Sequence, residues 1–156
     1  MADCVFCEQQ SGRIPVAGGA IFDDDLVFAH HYSDGDEPAY LGHLLIETKR
    51  HVPGFAGLTA SEAEAVGLLV ARVSRALTAC TGATHVYAES YGEVVPHLHI
   101  HITARYANMP PQFLRWKVSD WPDAPRGDAA QVAELAAALR TFVANEAATT
   151  APTRAI

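Results

Sequence analysis

The sequence predicts an α+β fold, an antiparallel sheet with helices packed on one side, and three observations carry that prediction. Strand-like segments fall in two groups separated by one long helical pattern and followed by another, unlike the strand–helix alternation of a parallel sheet. Residues His97-Leu98-His99-Ile100-His101-Ile102-Thr103 alternate polar and aliphatic, the period of a strand with one buried face. Across Ser61–Cys80, Val66, Leu69, Val70, Val73 and Leu77 recur at helical steps, with Arg72 and Arg75 off the stripe.

The elements follow in order. Residues 1–14 carry a Cys4-x-x-Cys7 pair and end at Ile14-Pro15, without a helical pattern after the cysteines; Gly18-Gly19 marks a turn. Ala20–Phe22 and Leu26–His31 read as strands around Asp23-Asp24-Asp25, an acidic run that suits a solvated turn better than a cation site. Gly42–Thr48 is the next strand, with His43, Leu45 and Glu47 on one face. Ser61 and Glu64 have the spacing of a capping box at the start of the long helix, and Gly82 stops it. Cys80 at its end reads as a core thiol. Strands His85–Ser90 and His97–Ala104 come next. Beyond Arg105 the chain is irregular and carries Trp116 and Trp121, until Asp128 caps an alanine-rich helix expected to reach about Asn145.

Composition narrows the function. The 156 residues suit one domain with a core of its own, and a net charge of −7 with no basic stripe argues against a nucleic-acid partner. No run approaches the length of a membrane span, and MADCVFCEQQ lacks the basic start and apolar stretch of a secretory signal. A cytoplasmic protein is expected, so the CxxC points to metal or redox chemistry rather than a disulfide. Phosphate-binding glycine loops are absent, and any phosphate chemistry must use side chains.

Three imidazoles on one strand face are the informative feature. His97 and His99, or His99 and His101, stand ~7 Å apart along a strand, close enough for one metal ion; the outer pair, at ~13–14 Å, is not. The alternative is covalent catalysis, since a neutral imidazole is nucleophilic near pH 7 and its neighbours donate to phosphate.

His97-Leu98-His99-Ile100-His101-Ile102 resembles the histidine-triad motif of the HIT superfamily of nucleotide hydrolases and transferases. The resemblance runs from about Cys4 to Arg105, through CVFCEQQSGRIP, IFDDD and GHLLIETKRHV. It implies a five-stranded antiparallel sheet with a long central helix, usually in a two-fold homodimer. Residues 1–106 would form the HIT domain and 107–156 a C-terminal extension whose tail helix packs on it.

By position, the resemblance makes His99 the nucleophile that attacks the α-phosphorus, with His101 and His43 managing the phosphate and leaving group. It places Val5 and Phe6 at the wall that receives the base, and Tyr32, with Asp34 and Asp36 nearby, where a carboxylate commonly holds the ribose. It also implies a structural zinc held by Cys4, Cys7, His51 and His97, one per chain. The segment before the triad departs from the family: Gly92-Glu93-Val94-Val95 replaces an amide and a hydroxyl that touch phosphate, and Ser90 is the nearest substitute donor. The expected substrate is a dinucleoside polyphosphate or a phosphoramidate. A non-catalytic nucleotide-binding module, motivated by Glu93 and Val94, and a hydrolase using the histidines as catalytic metal ligands are the other readings.

Overall fold

The structure, a computed structural model, describes residues 4–33, 38–113 and 120–150, with side chains as far as residue 146. A short helix α1 (Val5–Gln10) precedes strands β1 (Ala20–Asp23), β2 (Val27–His31), β3 (Ala39–Tyr40) and β4 (His43–Thr48). Helix α2 (Ala60–Thr81) leads to β5 (His85–Glu89) and β6 (His99–Arg105), then β7 (Arg126–Gly127) and α3 (Ala129–Thr150). Five strands make one antiparallel sheet in the order β1-β2-β4-β6-β5, while β3 and β7 pair separately.

Alternation sorts the sheet into two faces. Leu44, Ile46, Ile100 and Ile102 pack against Val66, Leu69, Val73 and Leu77 of α2 and against Ala136, Leu139 and Val143 of α3. Each such fully buried aliphatic side chain contributes roughly 1.5–3 kcal/mol. The opposite face is fixed by register: His43 stands opposite Thr103, Leu45 opposite His101 and Glu47 opposite His99. Cross-strand partners share a face, so β4 and β6 together set out the histidines and Glu47 on one surface.

Helix α3 is tied down by more than its apolar stripe. Asp128 Oδ1 accepts from the N–H groups of Ala130 and Gln131, the cap expected from sequence. Arg140 donates to Ala20 O and Gly18 O, and Arg72 to Val143 O. Gly18 lies so close to α3 that a Cβ there would sit 2.7 Å from Ala136 Cβ, with a positive φ of 72° besides.

Four local expectations change. The long helix starts at Thr59, not Ser61: Thr59 Oγ1 accepts from Glu62 N, and the Glu62 carboxylate accepts from Thr59 N in return. Arg50 binds the same carboxylate and holds its pKa down to about 2, which anchors Glu62 rather than Glu64 as the box partner. Cys80 is exposed, because it falls on the solvent side of the last turn of α2. Strand β6 begins at His99; with Leu98 N bonded to Val52 O, His97 lies outside the regular strand. Finally, a helix does follow the CxxC, with Cys4 at its N-cap and Cys7 inside it.

One further expectation is met. The acidic run is a turn, with Asp24 Oδ1 accepting from Leu26 N and Val27 N. Trp121 is buried with Tyr40 and Met109 in a small second cluster, which makes it a packing residue; Trp116, Asp34 and Asp36 lie outside the described residues. No helix among the described residues is long and apolar enough to cross a membrane.

Candidate functional site

His99 opens β6 and is 8% exposed. Its Nδ1 is 2.8 Å from the carbonyl oxygen of His97. A carbonyl only accepts, so Nδ1 carries the proton and donates it, which leaves the lone pair of a neutral ring on Nε2. Phe6 of α1 packs on the same ring at 4.6 Å between centroids.

His101 lies next along the face, 5.2 Å from His99 between ring centroids. Its Nδ1 meets His43 Nε2 at 2.9 Å. Burial, then the neighbouring His101, pushes the pKa of His43 down to about 3. Burial also lowers the pKa of His101, with His99 adding to it. Both rings are therefore neutral at pH 7, and one proton is shared between them. When His43 donates, His101 keeps its own proton on Nε2 and presents an N–H donor. Tyr32 and Tyr91 bracket this pair: Tyr32 is 4.6 Å from His43 and 6.2 Å from His101, and Tyr91 is 5.8 Å from His101.

The other ligand set gathers beside them. Cys4 Sγ and Cys7 Sγ lie 3.3 and 3.5 Å from His97 Nδ1, and Cys7 Sγ is 3.5 Å from His51 Nδ1. All four ligand atoms fall within 4.8 Å of one another. Ordinary Zn–S and Zn–N bonds in a tetrahedron set sulfur and nitrogen ~3.6 Å apart, so the separations suit one zinc ion. The far side of the His97 ring fits as well: its Nε2 donates to Thr48 O at 2.7 Å, which leaves Nδ1 unprotonated and aimed at the thiols. The two imidazoles at the thiols, not the lack of a helix, are what set this CxxC apart from a redox pair.

Of the residues expected at a nucleotide, Phe6 and Tyr32 join the histidines. Val5 is 37% exposed on α1, while Glu93 is exposed and Val94 is 93% exposed. Ser90 is half-buried, and neither it nor Glu93 hydrogen-bonds the triad among the described residues.

Sequence reasoning missed a buried network on the same face. Glu47, 1% exposed, receives His30 Nε2 at 2.9 Å and Gln10 Nε2 at 2.8 Å, and His30 Nδ1 faces His31 O at 2.9 Å. The signal was present: a carboxylate on the histidine face of β4 required a partner, and the neighbouring β2 ends in His30-His31.

An α+β sheet that carries an oriented imidazole beside a neutral histidine pair, with a Cys₂His₂ cluster against it, defines a histidine-triad protein. The HIT domain model matches residues 17–108, and the chain belongs to the HIT family. The comparison with curated proteins finds no match by sequence.

Solved structures share the fold. A histidine triad nucleotide-binding protein of Sulfolobus tokodaii is 18% identical with a TM-score of 0.73, over 98% of this chain and 100% of that one. A zinc-bound histidine triad protein of Mycobacterium smegmatis is 19% identical, at 0.69, over 94% and 97%. A HIT family hydrolase of Clostridium thermocellum is 20% identical, at 0.53, over 70% and 96%. Family membership supports a nucleotide-binding or hydrolase-type function in general terms.

Proposed function

We propose that the protein is a nucleotide hydrolase or nucleotidyl transferase acting on phosphorus through a nucleotidyl-histidine intermediate on His99. The observation that carries this is the Nδ1–H of His99 held by the His97 carbonyl at 2.8 Å, which presents Nε2 as a nucleophile without a neighbouring base. Nε2 attacks the α-phosphorus, and the bond from phosphorus to the leaving group breaks with its electron pair going to that group. Water then attacks phosphorus, Nε2 recovers its lone pair, and the water proton passes to solvent. His101 Nε2–H donates a hydrogen bond to the phosphate or the departing atom, with His43 holding its ring. Dinucleoside polyphosphates and nucleoside phosphoramidates are the substrates that suit such a step.

Zinc at Cys4, Cys7, His51 and His97 has a structural role in this reading, since four protein ligands close the coordination shell. Residues 1–106 are the catalytic unit and 107–156 an extension on it, in a cytoplasmic homodimer.

Intact mass spectrometry after mixing with adenylated and guanylated substrates tests the mechanism. The wild type should gain one nucleotidyl group, located on His99, and His99→Ala should gain none and lose turnover. Full turnover in His99→Ala would overturn it. The exposed Glu93 and Val94, which offer phosphate no donor, favour the second reading of a binding module. That reading predicts binding of nucleotide with no adduct and no turnover.

A further inference from the structure

Strand β5 brings a carboxylate to the histidine face. Glu89 stands opposite His101 in the β5–β6 register, so the two side chains share a face with Cβ atoms ~5 Å apart. His43 bonds His101 from the β4 side, and Glu89 flanks it on the β5 side. Tyr91, two residues further on, sets its ring 5.8 Å from the His101 ring and is 53% exposed. Burial, and then a hydrogen bond to Glu89, raises the pKa of its phenol. The hydroxyl therefore keeps its proton and donates it to Glu89, which joins ring and carboxylate into one unit.

Among the described residues Glu89 has no cationic partner. Lys49 pairs with Asp23, Arg50 with Glu62 and Arg75 with Glu146, while Arg72 and Arg140 bind backbone carbonyls. Arg105, on the same face of β6, is four residues from His101, ~13 Å along the strand. A carboxylate beside an open aromatic ring recognises a cation, by its charge and by the face of the ring. The same carboxylate repels a leaving polyphosphate.

We propose, resting on the reading of His99 as the nucleophile, that Glu89 and Tyr91 form the leaving-group subsite and select a departing amine that carries a positive charge. The scissile nitrogen of such a phosphoramidate takes a proton from solvent, and the charge of Glu89 favours that protonated form. His99 Nε2 attacks phosphorus, and the P–N bond breaks with its electron pair staying on nitrogen. The nitrogen departs as a neutral amine and takes a second proton from solvent.

Matched pairs of adenosine and guanosine 5′-phosphoramidates test the selection. In each pair one amine ends, two carbons from the scissile nitrogen, in an ammonium group and the other in a carboxylate. Calorimetry uses His99→Ala, which has no nucleophile to consume them, alone and combined with Glu89→Gln or Tyr91→Leu. His99→Ala should bind the ammonium compound about tenfold or more tightly than the carboxylate compound. Adding Glu89→Gln should bring the two within about threefold, with zinc content and thermal midpoint unchanged. Tyr91→Leu, at an exposed position, should lower the ratio about threefold. Equal affinities in His99→Ala, tighter binding of the carboxylate compound, no binding of either, or a ratio that both added substitutions leave undiminished would overturn the proposal. The expected ratios with no nucleotidyl adduct on His99 in the wild type would count against the catalytic reading alone. An adduct without the ratios would count against the leaving-group subsite alone.

Discussion

Acid should weaken this fold through His31, and the size of the effect follows from its surroundings. The ring is 1% exposed, its Nε2 faces the N–H of Gly42 at 3.4 Å, and its Nδ1 has no partner. Burial, outweighing a backbone hydrogen bond at Tyr32 that acts the other way, pushes its pKa from 6.5 down to about 4. The folded value lies below the unfolded one, so the unfolded chain takes up the proton first. Stability present above pH 6.5 is lost as the pH falls through 6.5 toward 4. Between pH 7 and pH 5 this single residue accounts for about 2 kcal/mol. That is a large part of the roughly 5–15 kcal/mol by which domains are stable. Urea unfolding of wild type and His31→Leu at the two pH values measures it. The leucine deprives Gly42 N–H of its acceptor, a cost of about 1 kcal/mol that does not depend on pH. The informative quantity is therefore the loss between pH 7 and pH 5, which should be about 2 kcal/mol larger in the wild type. Other acid-sensitive groups, including the Cys4–Cys7–His51–His97 cluster, are common to both proteins and cancel in that comparison. Equal losses in the two proteins would refute the argument.

Two further perturbations separate structural roles. Removing zinc with a chelator, or preventing its retention with Cys4→Ser, should lower the thermal midpoint by about 10 °C, since a few kcal/mol correspond to several degrees at this size. A metal assay paired with a thermal scan decides this, and an unchanged midpoint in zinc-free protein would deny the cluster a structural role. Thr59→Ala should cost about 1 kcal/mol in urea unfolding and Ser61→Ala under about 0.5 kcal/mol, because the cap hydrogen bond belongs to Thr59.

What the sequence made legible was whatever repeats with a period or rests on local chemistry. The aliphatic complement of the triad, Leu98, Ile100 and Ile102, had to face the helix, and the structure buries all three in the main core. Asp128 was recognisable as a cap because capping involves only the next few residues. The choice of Ser61 over Thr59 failed because Arg50, nine positions before Thr59, binds Glu62 and settles the register. The β3–β7 pair was invisible for the same reason, joining two-residue strands 87 positions apart, Ala39 to Gly127 at one end and Tyr40 to Arg126 at the other. His30 and Glu47 belong to different strands, and only the β2–β4 register brings them onto one face.

The departure of His97 from the strand explains how two chemistries share one motif. Its ring turns to the thiols while its Nε2 is pinned by Thr48 O, and its own carbonyl accepts from His99 Nδ1. One residue thus ends the metal cluster and orients the neighbouring His99 ring, so a shift of the His97 peptide would disturb both. Helix α1 closes the same arrangement from the other side: Cys4 and Cys7 meet His97, while Phe6 between them packs on both His97 and His99. A metal at this cluster ties α1 to the sheet and so holds Phe6 over the His99 ring. The zinc cluster and the His99 ring are then coupled through packing, and the alternation seen in the sequence marks where that coupling begins rather than three equivalent ligands.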